Sequence, residues 1–307
     1  MSTIRREAFR VLVPATSANL GPAFDSAGLA LNLYDELIAM STDDPGVLIE
    51  VAGEGEQDVP RDESHLVVRS MHAVFDELGV RPAGLVLRCA NVIPHGRGLG
   101  SSAAAIIGGM VLARAMVDDG IDRMSDSDLL QIALGFESHP DNLAAALFGG
   151  FTIAWLGSDG RADAIRRDVV EGVLPIALVP PDRLSTGHAR SVLPDQVALA
   201  DAAANVARSA LLVHALTSDP SYLFEATHDH IHQGARAGVY PMSVDVVDSL
   251  REAGFPAVIS GAGPTVLAFT LVDGEDVDVE RVPEGWRVLR LGIGAHGARV
   301  VPLPPLE

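Results

Sequence analysis

Gly96, Gly98 and Gly100 fall within five residues and run straight into Ser101-Ser102. Glycine lets a backbone approach a charged group without a Cβ clash. The next residues, Ser101 to Val117, are small and apolar almost all round, which predicts a buried helix. The glycine stretch therefore feeds a helix N-terminus, where unpaired N–H groups and a partial positive charge attract anions. The chemistry on offer is phosphate binding, with serine hydroxyls that can hold a phosphate oxygen or a hard cation. A plain glycine turn with Ser101 as the helix cap is the simpler reading of the same residues.

The loop is not a Walker loop, because that motif needs Gly-Lys-Ser/Thr and the chain contains no lysine. Gly98-Leu99-Gly100-Ser101-Ser102-Ala103 does fit the Gly-x-Gly-x-x-Ala form of a dinucleotide fingerprint, so a nicotinamide-dependent oxidoreductase competes on spacing. That reading needs an acidic residue at a strand end about 20 residues on. Asp118 and Asp119 lie near that distance but follow a helix. The triplet His228, His230 and His232 suggests a metal only weakly, since on a helix only His228 and His232 would share a face.

The formal net charge of −19 argues against a nucleic-acid binder, which needs a basic surface. It also requires that any attraction for an anionic nucleotide be local. Hydrophobic residues at 48% over 307 positions provide for one large or two medium domains. Cys89, the single cysteine, excludes an internal disulfide and reads as a small core residue. Met1 to Arg10 lacks an apolar targeting core, and no apolar run is long enough to span a bilayer, so the expectation is a cytoplasmic protein without a membrane partner.

The elements that must position the glycine loop read as follows. Strands are expected at Arg10 to Pro14, Leu29 to Met40, Val47 to Val51 and Gly84 to Asn91, with a helix at His65 to Leu78. Ser125 to Asp128 is a capping cluster for a helix through Leu134, and Asn142 to Leu147 is helical before a strand at Phe151 to Leu156. Gly157 to Arg167 is polar and reads as a loop at a domain boundary, dividing 1–157 from 158–307. Beyond it come a strand at Leu174 to Val179 and helices at Gln196 to Thr217, Tyr222 to His232 and Ser243 to Ala253. Strands close the chain at Ala257 to Ser260, Thr265 to Thr270 and Trp286 to Leu291. The mixture lacks strict βα alternation and predicts an α+β fold.

Pro94 to Ala104 resembles the phosphate-binding motif of the GHMP kinase superfamily. Pro14-Ala15-Thr16-Ser17-Ala18-Asn19-Leu20-Gly21-Pro22-Ala23-Phe24-Asp25 resembles its N-terminal motif in the homoserine kinase version. Ile259 to Thr265 resembles its C-terminal glycine motif, and Glu137-Ser138-His139-Pro140-Asp141-Asn142 resembles a homoserine kinase stretch that has glycine where Ser138 stands. The four segments occur in the family's order and span nearly the whole chain. The resemblance implies a two-domain GHMP kinase fold, with the phosphate loop in a left-handed βαβ unit of the first domain and a ferredoxin-like second domain.

It also implies the activity, transfer of the γ-phosphoryl of ATP to the side-chain hydroxyl of L-homoserine. ATP would be held by Pro94, Gly96, Arg97, Gly98, Leu99, Gly100, Ser101 and Ser102, and Mg²⁺ by Ser102 and Glu137. Asn19, Asp25, Asn142, Arg190, Arg236 and Gly261 would bind the amino acid. A carboxylate such as Asp25 suits its ammonium, and arginine grips its carboxylate bidentately. Gly234-Ala235 replaces Pro-Tyr in the segment ahead of Arg236. Thr186 matches a threonine near the transferred phosphate. Asp141 and His139 are alternative proton acceptors, and His139 also reads as a structural hydrogen-bonding group. Superfamily members are often dimers, so a homodimer is the expected assembly.

Overall fold

The computed structural model describes residues 3–303, so Met1 and Ser2, the start of the Met1 to Arg10 stretch, lie outside the described residues. The first part of the chain runs β1 (Phe9–Ala18), β2 (Ala27–Thr42), β3 (Gly46–Gly53), α1 (Leu66–Leu78), β4 (Gly84–Asn91) and α2 (Ser101–Met116). It continues through α3 (Gly120–Arg123), α4 (Asp126–Ala133), α5 (Pro140–Phe148), β5 (Phe151–Leu156) and β6 (Ala162–Arg167). The second part runs β7 (Val173–Val179), α6 (Thr186–Ser191), α7 (Leu199–Thr217), α8 (Leu223–Ala226), α9 (Pro241–Glu252), β8 (Ala257–Ile259), β9 (Val266–Leu271), β10 (Arg287–Arg290) and β11 (Arg299–Val301).

The larger sheet has the order β11-β1-β2-β4-β3, with β5 pairing β2 and carrying β6. Its pairs are antiparallel except β3–β4, which is parallel and joined by the α1 crossover. Helices α2 and α5 pack against this sheet, and the one that follows the glycine loop is α2. Its face is all small and apolar, and Gly109 lets α1 come close: a Cβ there would sit 2.2 Å from Ser70 Oγ and 2.6 Å from the Val67 carbonyl. Burial of Ile106, Ile107, Met110 and Leu112 anchors the helix whose N-terminus faces the glycine loop.

The smaller sheet, β10-β7-β9-β8, is antiparallel throughout. It packs against α9 through Ile176, Val246, Leu250 and Ile259. Cys89 is 1% exposed in the first core, as a small apolar residue.

Several expectations change. β1 does not stop at Pro14 but continues to Ala18, because a register shift between Pro14 and Ala15 absorbs the missing N–H. The segment expected as a boundary loop holds β6, and the division at 157/158 falls within the β5–β6 hairpin of the larger sheet. The C-terminal β11 also returns to that sheet beside β1. The helix expected over Tyr222 to His232 is confined to Leu223–Ala226. Beyond it, Asp229 accepts the N–H groups of Ile231, His232 and Gln233 and draws the backbone into a turn. The histidine triplet therefore does not share a helical face.

Candidate active site

The glycine loop joins β4 to α2 and is pinned from three sides. The Thr16 N–H at the end of β1 donates to the Leu99 carbonyl (3.1 Å), and Ser260 Oγ donates to the Gly98 carbonyl (2.6 Å). Thr265 N–H donates to the Arg97 carbonyl (3.2 Å). Gly98 and Gly100 adopt φ of 79° and 68°. A Cβ at Gly98 would lie 2.3 Å from the Ser260 carbonyl oxygen, and one at Gly100 would lie 1.9 Å from Thr16 Oγ1. Only glycine satisfies both the dihedral and the space. The loop thus presents the first turn of α2, with Ser101 and Ser102, to a cavity of about 620 Å³.

Beside that first turn stand the carboxylates. Ser102 hydrogen-bonds the half-buried Glu137, whose pKa is raised by burial and partly restrained by that bond. Asp141, in the first turn of α5, is 5% exposed and accepts from the Asn142 N–H at 2.7 Å. Burial pushes its pKa up to about 7; the negative charges of Asp25 and Glu137 add to this, against the Asn142 bond and the Arg190 charge. Asn142 Oδ1 accepts from Thr16 Oγ1 at 2.7 Å, tying α5 to the strand that backs the loop.

The remaining wall carries the arginines. After β1 the chain enters positive φ at Asn19 (69°), Leu20 (48°) and Asp25 (56°). The Asn19 side chain closes this turn, donating to the Gly261 carbonyl (3.0 Å) and accepting the Asp25 N–H (2.9 Å). Asp25 pairs with Arg190 of α6 at 2.7 Å and faces His139 Nε2 at 3.5 Å. Burial lowers the His139 pKa, and its Nδ1 lies 3.0 Å from Ser138 Oγ. Arg236 is 2% exposed and donates from Nε to the Ala189 carbonyl (2.8 Å). The Phe24 ring lies 5.4 Å from each of the Arg190 and Arg236 guanidinium carbons, a double cation–π contact. His232, kept neutral by burial, stacks on Phe24 at 5.0 Å and donates to the Gly21 carbonyl (2.8 Å).

The cavity collects Asn19, Asp25, Gly96, Gly98, Gly100, Ser101, Ser102, Glu137, His139, Asp141, Asn142, Thr186, Arg190, Arg236 and Gly261. Pro94, Arg97 and Leu99 do not line it. Leu99 is in the core, and the Arg97 guanidinium turns to the carbonyls of Pro180 and Pro181. Gly234-Ala235 leaves Arg236 in place. Phe24, quoted only within the N-terminal motif, and His232, read only as one of a histidine triplet, carry no sequence signal that places them against the two arginines; the fold brings them there. Asp118 follows α2 and pairs with Arg5 at 3.1 Å, not at the strand end that the nicotinamide reading needs.

Residues 65–150 match the family described as GHMP kinases N terminal domain, and residues 207–287 match GHMP kinases C terminal. The chain is 50% identical over 299 residues to a homoserine kinase of Streptomyces avermitilis, covering 97% of both chains. To that of Streptomyces coelicolor it is 51% identical, covering 97% of this chain and 96% of the other. The chain belongs to the homoserine kinase family of GHMP kinases. The crystal structure of a homoserine kinase from Cytophaga hutchinsonii superposes with a TM-score of 0.83 at 28% identity, over 96% of this chain and 98% of that one. As a kinase of this family the protein uses ATP and a small-molecule acceptor, on a two-domain α+β scaffold. Among the described residues no helix is long and apolar enough to cross a membrane.

Proposed function

We propose that the chain transfers the γ-phosphoryl group of ATP to the side-chain hydroxyl of L-homoserine, giving O-phospho-L-homoserine, a step of threonine biosynthesis. The observation that carries this reading is the placement of Arg190 and Arg236 on Phe24, beside Asp25, in one cavity with the glycine loop. Such a wall suits a zwitterion: arginines for its carboxylate, a carboxylate for its ammonium. It suits a sugar or an isoprenoid poorly.

Phosphoryl transfer asks for positioning and charge neutralisation more than covalent chemistry. Gly98, Gly100, Ser101 and the N–H groups at the start of α2 hold the nucleotide phosphates. The Ser102 hydroxyl and the Glu137 carboxylate are hard oxygen donors already bonded to each other, the donor type Mg²⁺ takes, and would hold that ion. When bound, Mg²⁺ neutralises charge on the β- and γ-phosphates. The acceptor hydroxyl oxygen forms a bond to the γ-phosphorus as the bond to the β–γ bridging oxygen breaks, and ADP leaves with that electron pair. The hydroxyl proton goes to Asp141, whose pKa of about 7 suits a base near neutral pH. Asn142 and Thr186 orient the reacting groups, and His139 supports Asp25.

The cytoplasm supplies such an enzyme with ATP, and a homodimer is the assembly we expect, to be read by sedimentation. The product tests the activity. After incubation with ATP and homoserine, a phosphomonoester on the side-chain oxygen is expected by phosphorus NMR and mass spectrometry. Phosphate on any other acceptor atom would contradict the reading.

A further inference from the structure

Arg97 sits in the glycine loop, yet its side chain leaves the cavity for the second domain. Nε donates to the Pro180 carbonyl at 2.9 Å, Nη2 to the Pro181 carbonyl at 2.6 Å and Nη1 to the His95 carbonyl at 3.1 Å. Two consecutive prolines offer carbonyls but no N–H, so this end of β7 cannot be stitched by an ordinary backbone ladder. A guanidinium, with five N–H groups in a rigid fork, supplies what the segment lacks. Arg97 makes these bonds to neutral oxygens, where a phosphate-binding arginine would face the cavity.

The segment it grips leads directly to the acceptor wall. Leu184 N–H donates to the Gly96 carbonyl at 2.8 Å, and the stem of Arg183 lies against Gly96. Thr186 and Arg190 then follow in α6, with Arg190 on Asp25 and Phe24. The glycine loop and the carboxylate-binding turn are thus bolted together through one side chain and one backbone bond.

We propose that Arg97 is a positioning residue that couples the two halves of the cavity, so that nucleotide and amino acid each strengthen the binding of the other. This rests on the proposed function. A ligand that fixes the glycine loop also fixes the segment held to it, and the second ligand then meets an Arg190 already in place. Coupling of this kind is reciprocal between the two ligands.

Calorimetric titration of homoserine into the full chain, with and without a saturating non-hydrolysable ATP analogue and Mg²⁺, reads the coupling. In the unaltered protein the analogue is expected to tighten homoserine binding about tenfold. Arg97→Met keeps the stem and removes the donors. It should bring that ratio to about one, with each ligand's affinity alone within about threefold of the unaltered value. Arg97→Lys, which reaches one carbonyl, should restore part of the ratio and carries the test if the methionine variant unfolds. A ratio unchanged in both variants overturns the proposal, as does a ratio near one in the unaltered chain. So does an equal loss of both separate affinities with the ratio kept, which marks a merely structural role. Failure of homoserine to bind the unaltered chain at all removes the functional reading, and this inference with it. Binding without coupling removes the inference alone.

Discussion

Arg190 of α6 and Asp25 of the β1–β2 turn form a 2.7 Å ion pair that joins the two domains at the floor of the cavity. Each is the counter-charge of one end of an amino acid. In the function proposed above, a zwitterion entering here would set its carboxylate on the arginine and its ammonium on the aspartate. The positive φ of Asp25 and the Phe24 ring under Arg190 keep both side chains aimed at that point.

Removing the arginine therefore strikes acceptor binding first. A charge-assisted hydrogen bond contributes about 1.5–3 kcal/mol, so Arg190→Ala should raise KM for homoserine about 10–100-fold. KM for ATP should stay within about threefold, because Arg190 makes no contact with the glycine loop. Steady-state kinetics in both substrates checks this, and equal rises in both KM values would remove Arg190 from the acceptor wall.

The Ser102–Glu137 bond leads to a metal prediction. Ser102→Ala should weaken apparent Mg²⁺ affinity about 10–100-fold while the thermal midpoint barely moves, since Ser102 is exposed. Initial rates against Mg²⁺ concentration at fixed ATP read this directly. Turnover unchanged at limiting Mg²⁺ would take Ser102 out of the metal site.

Asp141 makes activity and stability run in opposite directions with pH. Its pKa is raised to about 7, so the proton it holds when folded stabilises the native state fully below about pH 4. That stability is lost as pH rises through about 7, the pH above which the carboxylate is ionised and able to act as a base. Hence kcat should climb between about pH 6 and 8, while the Asp141 contribution to stability falls from about pH 4 and is largely gone just above pH 7. Asp141→Asn should lower kcat about 10²–10⁴-fold, flatten this rise and lift the thermal midpoint at pH 8 more than at pH 5. An unaltered acid limb in the variant would point to another base.

Gly98→Ala places a Cβ 2.3 Å from the Ser260 carbonyl at a φ of 79°. The strained dihedral alone costs about 1–3 kcal/mol, and the clash pushes the loop away from β8. Nucleotide affinity should fall at least tenfold and the thermal midpoint by several degrees, measured by calorimetry with the ATP analogue and by thermal melting. Wild-type affinity in a folded Gly98→Ala protein would mean that the loop conformation does not matter to phosphate binding.

The glycine loop and the helix behind it were legible in the sequence because their chemistry is local: glycines for space, small residues for a buried helix. The acceptor wall was legible only by resemblance, since Asp25, Arg190 and Arg236 are brought together by the fold. What stayed hidden has physical reasons. β6 buries only alanine at Ala162 and half-buries the rest of its inward face, so its alternation is faint. β11 is three residues long. Arg97 carries no mark in sequence that distinguishes a phosphate ligand from a clamp on Pro180 and Pro181. Phe24 gains its place only when two distant arginines close on its ring.

The most direct test of the central claim is ADP release measured with homoserine, threonine, mevalonate and galactose as acceptors under identical ATP and Mg²⁺. The account predicts a kcat/KM for homoserine at least about a hundredfold above each of the others, because an acceptor lacking the amino-acid groups or their spacing cannot engage Arg190 and Asp25 together. ADP release that does not respond to homoserine, or that responds equally to mevalonate or galactose, would contradict it.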